Sequence, residues 1–354
     1  MWCNLCESII TFKSDGFKFC NKVACFDIDG TLIKTKSGKT FPINNTDWIW
    51  LYDNIITKIH ELYNNNYCII MISNQAILKT DKLIEEWKYK LNKMIQDSDI
   101  PILLFASLKK DKYRKPLPFI WREHVVSNIE FFDFENSFYC GDAIGRKNDH
   151  SDCDIKFASN CKLSFILPEE LFLNEIKTNK QINYITFPKN KFDEKILDKF
   201  INMSNTMIIM IGYPASGKST IASLIEKYNF YRINQDTLIT KKKCLDMTIN
   251  CLKNNINCVI DNTNPTKDKR KEYIDLANNY KYNIYCIHIT TSYELSQHNN
   301  IYRYLTTNKN IIPSIVYNKY KKDFEEPCIS EGYSEIIKVS CGLINELDYN
   351  LYYY

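Results

Sequence analysis

The sequence has no apolar run that approaches the roughly 18 residues needed to cross a bilayer, so we expect no membrane-spanning segment. Its first residues, Met1 to Cys6, do not combine a basic stretch with an apolar core, so no secretory signal is expected. No internal repeat is present. The absence of a secretory signal and of a membrane-spanning segment predicts an intracellular protein whose 14 cysteines are reduced.

A strong excess of charge of either sign is also missing. Lysine and arginine number 46 against 42 acidic residues, which gives a net charge of +4. This balance is compatible with a polyanionic partner but does not require one. Cys3 and Cys6 form a CxxC motif, but no second ligand pair follows nearby, so we interpret them as ordinary thiols and not as half of a zinc site.

What the sequence does have is a repeated alternation of strand and helix patterns. In the first half, the apolar runs 23–26, 67–72 and 138–140 are each followed at once by polar residues. A helix is predicted from Asp81 to Ile95, with an apolar face formed by Leu83, Trp87, Leu91 and Met94. Such alternation predicts a parallel α/β sheet, with ligands bound beyond the carboxyl ends of its strands.

The length of 354 residues is large for a single core, and the composition changes near the middle of the chain. Residues from about 174 to 205 are rich in Asn and Lys and show little period, whereas a second α/β pattern begins with the apolar run 207–211. We therefore predict one domain over residues 1–173, a linker or connection over 174–205, and a second domain over 206–354.

The first candidate site begins with Asp27-Ile28-Asp29-Gly30-Thr31-Leu32 at a predicted strand end. An aspartate such as Asp27 can attack phosphorus and form an aspartyl-phosphate. Asp29 points the same way from an extended chain and can act as general acid and base. Two carboxylates this close repel each other, so we expect a cation, and Mg²⁺ fits because it binds oxygen ligands and phosphate together.

Polar residues at later strand ends complete this site. Ser73 can donate a hydrogen bond to a phosphoryl oxygen, and Lys115 can offset negative charge on the moving phosphoryl group. Asp142 and Asp149 supply further acidic groups for the metal. Taken singly, a DxDG segment is also compatible with a simple turn and a lysine with a solvated surface charge; the ordered set favours the phosphatase interpretation.

The second candidate site is a complete Walker A motif, which runs from Gly212 through Gly217, Lys218, Ser219 and Thr220. It follows an apolar run and precedes residues with helical spacing, which is the context that a phosphate-binding loop requires. Its backbone amides are expected to surround the phosphates of ATP. Lys218 is expected to reach the β and γ phosphates, and Ser219 to ligate Mg²⁺.

Two further residues suggest a kinase and not an ATPase. Asp236 follows a short predicted strand and can take the proton from an acceptor hydroxyl, although an ordinary loop aspartate is the alternative. Arg303 lies on a predicted helix from Tyr293 to Leu305, from which it can stabilise a transferring phosphate; a plain surface arginine is almost as compatible with the sequence.

The first set of residues resembles the four motifs of the haloacid-dehalogenase phosphatase superfamily, at Asp27 with Asp29, at Ser73, at Lys115 and at Asp142. The whole chain, from about residue 8 to about residue 340, resembles the polynucleotide kinase 3′-phosphatase family of metazoans. The stretches that carry the resemblance are 26–33, 37–39, 41–42, 113–116, 141–143, 145–146, 212–220, 261–265 and 298–300. It implies a haloacid-dehalogenase-like Rossmannoid fold followed by a P-loop kinase fold.

The resemblance also implies roles. Asp27 would be the nucleophile, Asp29 the general acid–base and Asp142 a Mg²⁺ ligand together with Asp27. Asp236 would activate a 5′-hydroxyl, and ATP would be the phosphate donor. The pair of reactions would remove a 3′-phosphate and add a 5′-phosphate at single-strand, nicked or double-strand DNA ends.

Departures from the family qualify this expectation. Only 26 residues precede Asp27, too few for the forkhead-associated domain of vertebrate members, so no phosphopeptide partner of that kind is expected. Gln235 stands where relatives have an arginine, which puts one contact with nucleic acid or phosphate in question. Gln297 and Ile301 replace arginines on the predicted helix that carries Arg303, which leaves Arg303 with more of the phosphate stabilisation. The family acts mainly in the nucleus, and a viral source would place the chain in the cytoplasm.

Three alternatives stay open at this point. The same chemistry could act on RNA breaks, although the order of the domains favours the DNA-repair type. The chain could also fuse a small-metabolite phosphatase to a small-metabolite kinase. An inactive scaffold that binds ends is the third alternative, and the intact motifs argue against it.

Overall fold

The computed structural model describes residues 1–147, 149–175, 192–307 and 309–340. The chain divides into two compact units between residues 184 and 185. The described part of the first unit is therefore 1–175, and that of the second unit is 192–340. No helix within these ranges has the length and hydrophobicity to cross a membrane.

The first unit contains a sheet in which seven described strands take the order β1-β2-β7-β6-β3-β8-β9. Its strands are β1 (Trp2–Cys6), β2 (Ile9–Lys13), β3 (Lys22–Phe26), β6 (Tyr67–Asn74), β7 (Ile102–Ser107), β8 (Phe138–Cys140) and β9 (Ser164–Ile166). A separate antiparallel pair is formed by β4 (Ile33–Lys34) and β5 (Ile49–Trp50). Neighbouring strands pair in parallel across the part of the sheet ordered β7-β6-β3-β8-β9, as the sequence predicts.

The amino-terminal edge of this sheet departs from the parallel pattern. β1 pairs antiparallel with β2, and β2 pairs antiparallel with β7. The turn between β1 and β2 is too short for the crossover that a parallel pair needs, so the two strands can only form a hairpin. Ile9 and Ile10, on opposite faces of β2, are both buried and extend the two core layers to this edge.

Helices cover both faces of the first sheet, because alternate residues of its strands point to opposite sides. Ala24 and Phe26 of β3 face one core cluster, whereas Val23 and Cys25 face the other. The helices are α1 (Ile55–Asn64), α2 (Asp81–Ser98), α3 (Phe119–His124), α4 (Cys153–Asn160) and α5 (Pro168–Phe172), with a 3₁₀ turn at Val126–Asn128.

Helix α2 confirms the helix predicted from Asp81 and extends it to Ser98. Its start is fixed by Thr80, whose side chain accepts a hydrogen bond from the Leu83 amide. The helix ends where Asp99 takes a left-handed conformation, with φ of 49°. Leu83 itself lies on the first turn and is 40% exposed, so the buried face begins only at Trp87.

The second unit is a sheet of five described strands in the order β11-β12-β10-β13-β14, and every pair in it is parallel. Its strands are β10 (Thr206–Ile211), β11 (Tyr231–Ile233), β12 (Cys258–Ile260), β13 (Asn283–Ile289) and β14 (Glu335–Val339). Its helices are α6 (Lys218–Glu226), α7 (Gln235–Leu238), α8 (Lys241–Lys253), α9 (Lys267–Asn279), α10 (Tyr293–Thr306) and α11 (Ser314–Asp323), with 3₁₀ turns at Glu194–Phe200 and Ile329–Glu331. Both units are thus α/β, as predicted.

The predicted linker over residues 174–205 differs from the structure in its second half. Leu197 and Phe200 of the 3₁₀ segment are fully buried in the core cluster that also contains Ile208 and Met210 of β10. The many Asn and Lys residues around Leu197 and Phe200 make this apolar pair hard to recognise in the sequence. Burial of the two side chains nevertheless attaches the segment to the second unit. Residues 176–191 of the predicted linker lie outside the described residues.

Two candidate active sites

The first candidate site forms where the carboxyl ends of β3, β6, β7 and β8 meet. Asp27 directly follows β3, and its amide donates a 2.9 Å hydrogen bond to the Cys140 carbonyl at the end of β8. Ser73 is the second-to-last residue of β6 and is 2% exposed. Neighbouring parallel strands end at the same edge of a sheet, which brings together residues that are more than 100 positions apart.

Lys115 lies at the centre of this site and is 2% exposed. Its ammonium donates to Asp27 Oδ1 at 2.6 Å, to Asp154 Oδ1 at 2.9 Å and to the Tyr139 hydroxyl at 2.6 Å. Burial alone would lower the pKa of Lys115, but the carboxylates of Asp154 and Asp27 outweigh it and raise that pKa. The lysine is therefore held protonated beside the expected nucleophile.

The backbone of Lys115 is fixed by the side chain of Asn74. Asn74 Oδ1 accepts from the Lys115 amide at 2.9 Å, and Asn74 Nδ2 donates to the Lys115 carbonyl at 3.0 Å. The lysine comes from the loop after β7, so this amide bridge ties that loop to the end of β6. Ser73 therefore contributes its side chain to the candidate site, whereas the side chain of Asn74 supports the loop that carries Lys115.

Three carboxylates of the first unit, those of Asp27, Asp142 and Asp154, have oxygens within 4.8 Å of one another. Burial raises the pKa of Asp27, against the effect of Lys115, and burial together with the Asp154 charge raises the pKa of Asp142 to about 6. One lysine does not balance three clustered carboxylates, so the donor set fits a hard divalent cation with oxygen ligands, such as Mg²⁺.

The expected metal ligands Asp149 and Asp29 lie outside this cluster. Asp149 is turned towards Arg146, whose guanidinium is 3.1 Å away, and it also accepts from the amides of Ile144 and Arg146 at 3.0 Å. Asp154, which was not predicted as a ligand, lies in the cluster where Asp149 was expected. Among several acidic residues between 142 and 154, only the start of α4 determines which one points inward.

Asp29 lies on the solvent-exposed side of the first candidate site. Its side chain is 50% exposed, whereas that of Asp27 is 11% exposed. Asp29 Oδ2 accepts from Gln75 Nε2 at 2.8 Å, and Oδ1 accepts from Lys90 Nζ at 3.1 Å. The structure thus separates a deep carboxylate from an accessible one two residues later.

Two glycines allow the loops to approach the acidic cluster. A Cβ on Gly141 would lie 2.7 Å from the Cβ and carboxyl atoms of Asp154. Gly30 has a φ of +89°, and a Cβ there would lie 2.6 Å from Asp142 Oδ2. Any larger residue at either position would displace one of the clustered carboxylates.

The second candidate site is the loop between β10 and α6. Gly217 takes a left-handed conformation, with φ of 104°, and directly precedes α6, so the first amides of the helix face the loop. Lys218 is buried and donates to the carbonyl of Gly212 at 3.0 Å and to that of Tyr213. Burial lowers the pKa of Lys218 to about 8. Thr220 follows on the exposed first turn of α6.

Asp261, for which no role was predicted, connects this loop to the neighbouring strand β12. Its Oδ2 accepts from Ser219 Oγ at 2.9 Å, from Asn234 Nδ2 at 2.8 Å, and from Arg232 Nε and Nη2 at 2.9 and 2.6 Å. Its Oδ1 is buried and has no hydrogen-bond partner among the residues that the structure describes. A buried oxygen of this kind beside Ser219 fits a Mg²⁺ site shared by the two residues.

Asp236 and Arg303 both lie near the phosphate-binding loop. Each contributes an electrostatic effect on Lys218: Asp236 acts to raise its pKa and Arg303 to lower it. Asp236 is exposed on the short helix α7, where its amide donates to Asn234 Oδ1 at 2.7 Å. Arg303 Nη2 donates to Asn300 Oδ1 at 3.1 Å, and its Nε is buried without a partner within the described ranges.

The three positions that depart from the family pattern have separate surroundings. Gln235 is exposed, and its amide donates to Asn262 Oδ1 at 3.0 Å. Gln297 donates to the Tyr293 hydroxyl at 3.1 Å, whereas Ile301 is buried in the interior of its unit. On α10, Gln297 and Ile301 therefore supply no guanidinium, and Arg303 is the arginine that lies on the side of the phosphate-binding loop.

The fold and the two sites define a two-domain enzyme for phosphoryl transfer, in which a phosphatase unit with a buried aspartate precedes a P-loop kinase unit. Residues 22–172 match the family described as "Polynucleotide kinase 3 phosphatase", and residues 207–327 match that described as "AAA domain". The chain belongs to the family of bifunctional polynucleotide phosphatase/kinases.

This membership rests on similarity along almost the whole chain. The "Bifunctional polynucleotide phosphatase/kinase" of Schizosaccharomyces pombe is 35% identical over 343 residues, which cover 95% of this chain and 84% of that protein. A "Putative bifunctional polynucleotide phosphatase/kinase" of Acanthamoeba polyphaga mimivirus is 32% identical over 90% of this chain and 84% of its own length. The "Polynucleotide 3'-phosphatase ZDP" of Arabidopsis thaliana is 35% identical over 46% of this chain and 25% of its own length.

Proposed function

We propose that this enzyme repairs broken nucleic-acid ends, by removing a 3′-phosphate in the first unit and by phosphorylating a 5′-hydroxyl with ATP in the second. The observation that carries the proposal is the similarity to a bifunctional polynucleotide phosphatase/kinase over 95% of the chain. The two products, a 3′-hydroxyl and a 5′-phosphate, are the ends that a ligase joins.

In the phosphatase, Asp27 attacks phosphorus and the 3′ oxygen leaves with a proton from Asp29. Asp29 then takes a proton from water, whose oxygen displaces Asp27 from phosphorus and releases inorganic phosphate. Ser73 donates to a phosphoryl oxygen, and Lys115 offsets charge next to Asp27. Asp27 with Asp142 and Asp154 would hold Mg²⁺, which when bound neutralises negative charge on the phosphate.

In the kinase, Asp236 accepts the proton of the 5′-hydroxyl as its oxygen bonds to the terminal phosphorus of ATP. Lys218 and the amides at the start of α6 hold the phosphates, and Arg303 meets charge on the transferring group. Ser219 and Asp261 would hold the Mg²⁺ that accompanies ATP. Arg232 and Asn234 keep the Asp261 carboxylate oriented for this purpose.

Two single variants test whether the activities reside where we propose. Asp27→Ala should abolish removal of a 3′-phosphate from an oligonucleotide and leave 5′-phosphorylation intact. Lys218→Ala should have the opposite effect. Loss of both activities in either folded variant would contradict the assignment of two separate sites.

We propose DNA as the substrate, with RNA ends as the alternative. Rates of 5′-phosphorylation on DNA and RNA acceptors of the same sequence would separate the two. Efficient hydrolysis of sugar phosphates together with inactivity on 3′-phosphorylated oligonucleotides would instead support a fusion of two small-metabolite enzymes. We also propose that the enzyme acts inside the cell, in the nucleus or, for a chain of viral origin, in the cytoplasm.

A further inference from the structure

Helix α2 carries a lysine at a position where its pattern calls for an apolar residue. Lys90 lies one turn from Trp87 on one side and one turn from Met94 on the other, and both belong to a core cluster of the first unit. Lys90 is itself 5% exposed. Burial of a lysine costs free energy unless the charge is paired, so this residue calls for an explanation beyond packing.

The partner of Lys90 is the accessible carboxylate of the phosphatase site. Lys90 Nζ lies 3.1 Å from Asp29 Oδ1, and the side chain of Lys90 is 6% exposed whereas that of Asp29 is 50% exposed. The ammonium thus reaches Asp29 from the protein interior and leaves its open side to solvent. The ion pair joins the turn after β3 to a helix 61 residues further along the chain.

The second oxygen of Asp29 is held from another element. Gln75, which directly follows β6 and is buried, donates from Nε2 to Asp29 Oδ2 at 2.8 Å and to Ser73 Oγ at 2.9 Å. Each carboxylate oxygen of Asp29 therefore receives one hydrogen bond from a fixed, buried donor. A half-exposed aspartate without such contacts would be free to sample other rotamers.

We propose that Lys90, together with Gln75, is a positioning residue that holds the Asp29 carboxyl group against the leaving 3′ oxygen. The inference rests on the proposed phosphatase function and adds to it the residue that orients the general acid–base. A general acid acts only from within hydrogen-bond reach of the atom that it protonates. Orientation by a buried lysine provides that reach without closing the pocket.

The charge of Lys90 also favours the first of the two proton transfers. When the bond from phosphorus to the 3′ oxygen breaks, that oxygen takes the proton of Asp29 and the new bond to Asp27 forms. Asp29 becomes negatively charged in this step, opposite the ammonium of Lys90. In the second step the attacking water returns a proton to Asp29, and the bond between phosphorus and Asp27 breaks.

This role predicts a defect that depends on the leaving group. A nucleoside 3′ oxygen is strongly basic and needs the proton of Asp29 to depart, whereas p-nitrophenolate departs without one. Misorientation of Asp29 should therefore slow the first step for a 3′-phosphate and spare it for p-nitrophenyl phosphate. A general weakening of the fold or of the Asp27 site would slow the two substrates alike.

The test is Lys90→Met in the full chain, with Lys82→Met as the matched control on the exposed side of the same helix. In single-turnover experiments, Lys90→Met should cleave a 3′-phosphorylated oligonucleotide about 100-fold more slowly than the wild type. The initial burst of p-nitrophenol should keep its wild-type rate. Lys90→Arg should recover part of the lost rate, and Lys82→Met should match the wild type on both substrates.

Thermal unfolding supplies a second readout. Lys90→Met should melt at or above the wild-type temperature, because methionine suits the apolar face of α2. Equal losses on the two substrates, or an unchanged rate on the oligonucleotide, would overturn the positioning role. If the wild-type chain left the 3′-phosphate intact, the proposed function would fail instead, and an alkyl phosphate would replace the oligonucleotide as the poor leaving group in the same comparison.

Discussion

Replacing Asp154 with asparagine would preserve the shape of a buried side chain and remove its charge from the acidic cluster. Asp154 accepts from Lys115 at 2.9 Å, from Tyr139 at 3.0 Å and from the Ala143 amide at 3.1 Å. It is also one of the three carboxylates gathered within 4.8 Å. The substitution therefore acts on the expected metal site and on the environment of Lys115.

The size of the effect follows from these contacts. Removal of a group that merely supports a metal ligand costs about 10- to 100-fold in metal affinity, so loss of a ligand charge should raise the Mg²⁺ requirement of the phosphatase by at least that factor. Lys115 keeps Asp27 and Tyr139, each at 2.6 Å. Asn has one acceptor oxygen where Asp154 has two, so the free energy of unfolding should fall by only about 1–3 kcal/mol, the usual cost of leaving one buried donor without an acceptor.

The assay is a Mg²⁺ titration of 3′-phosphatase activity, with the kinase activity of the same preparation as an internal reference. Asp149→Asn is the matched control, because it makes the same change in the same acidic stretch at a carboxylate that is bound to Arg146. We expect Asp149→Asn to titrate like the wild type. A raised Mg²⁺ requirement in Asp149→Asn together with a normal one in Asp154→Asn would refute the placement of Asp154, and not Asp149, at the metal site.

Three further outcomes are expected. Gly141→Ala should reduce phosphatase activity and spare the kinase, because the added Cβ would lie 2.7 Å from Asp154; equal effects on both activities would contradict this reason. The affinity for ATP, measured by calorimetry, should fall as pH rises through about 8, because burial lowers the pKa of Lys218 to about 8 and only the protonated form attracts phosphate; Lys218→Met should lose this pH dependence. Arg303→Ala should lower the kinase kcat by about 10³-fold or more if it meets charge in the transition state, whereas a surface role predicts an unchanged kcat.

The sequence was sufficient to predict those parts of the first site that a parallel sheet brings together by itself. Asp27, Ser73 and Asp142 each follow or end an apolar run, and parallel strands end at a common edge, so their convergence could be predicted without knowing the strand order. The phosphate-binding loop was equally predictable, because the residues of its motif are consecutive in the chain.

Contacts that depend on long-range geometry could not be predicted in this way. The choice between Asp149 and Asp154 depends on where α4 begins and on the attraction of Asp149 to Arg146. The contact of Asp261 with Ser219 requires β12 to lie directly beside β10, which the order of the strands in the chain does not reveal. Lys90 lies at helical spacing from Trp87 and Met94, but only the folded unit shows that its ammonium reaches Asp29.

The central claim is that one chain converts both ends of a nucleic-acid break into ends that can be joined. It is tested most directly with a nicked DNA duplex that carries a 3′-phosphate and a 5′-hydroxyl, incubated with the enzyme, ATP and Mg²⁺ and then with a DNA ligase. We predict a sealed strand with the wild-type enzyme, and an unsealed strand with either Asp27→Ala or Lys218→Ala. An unsealed nick that retains its 3′-phosphate or its 5′-hydroxyl after treatment with the wild-type enzyme would contradict the account.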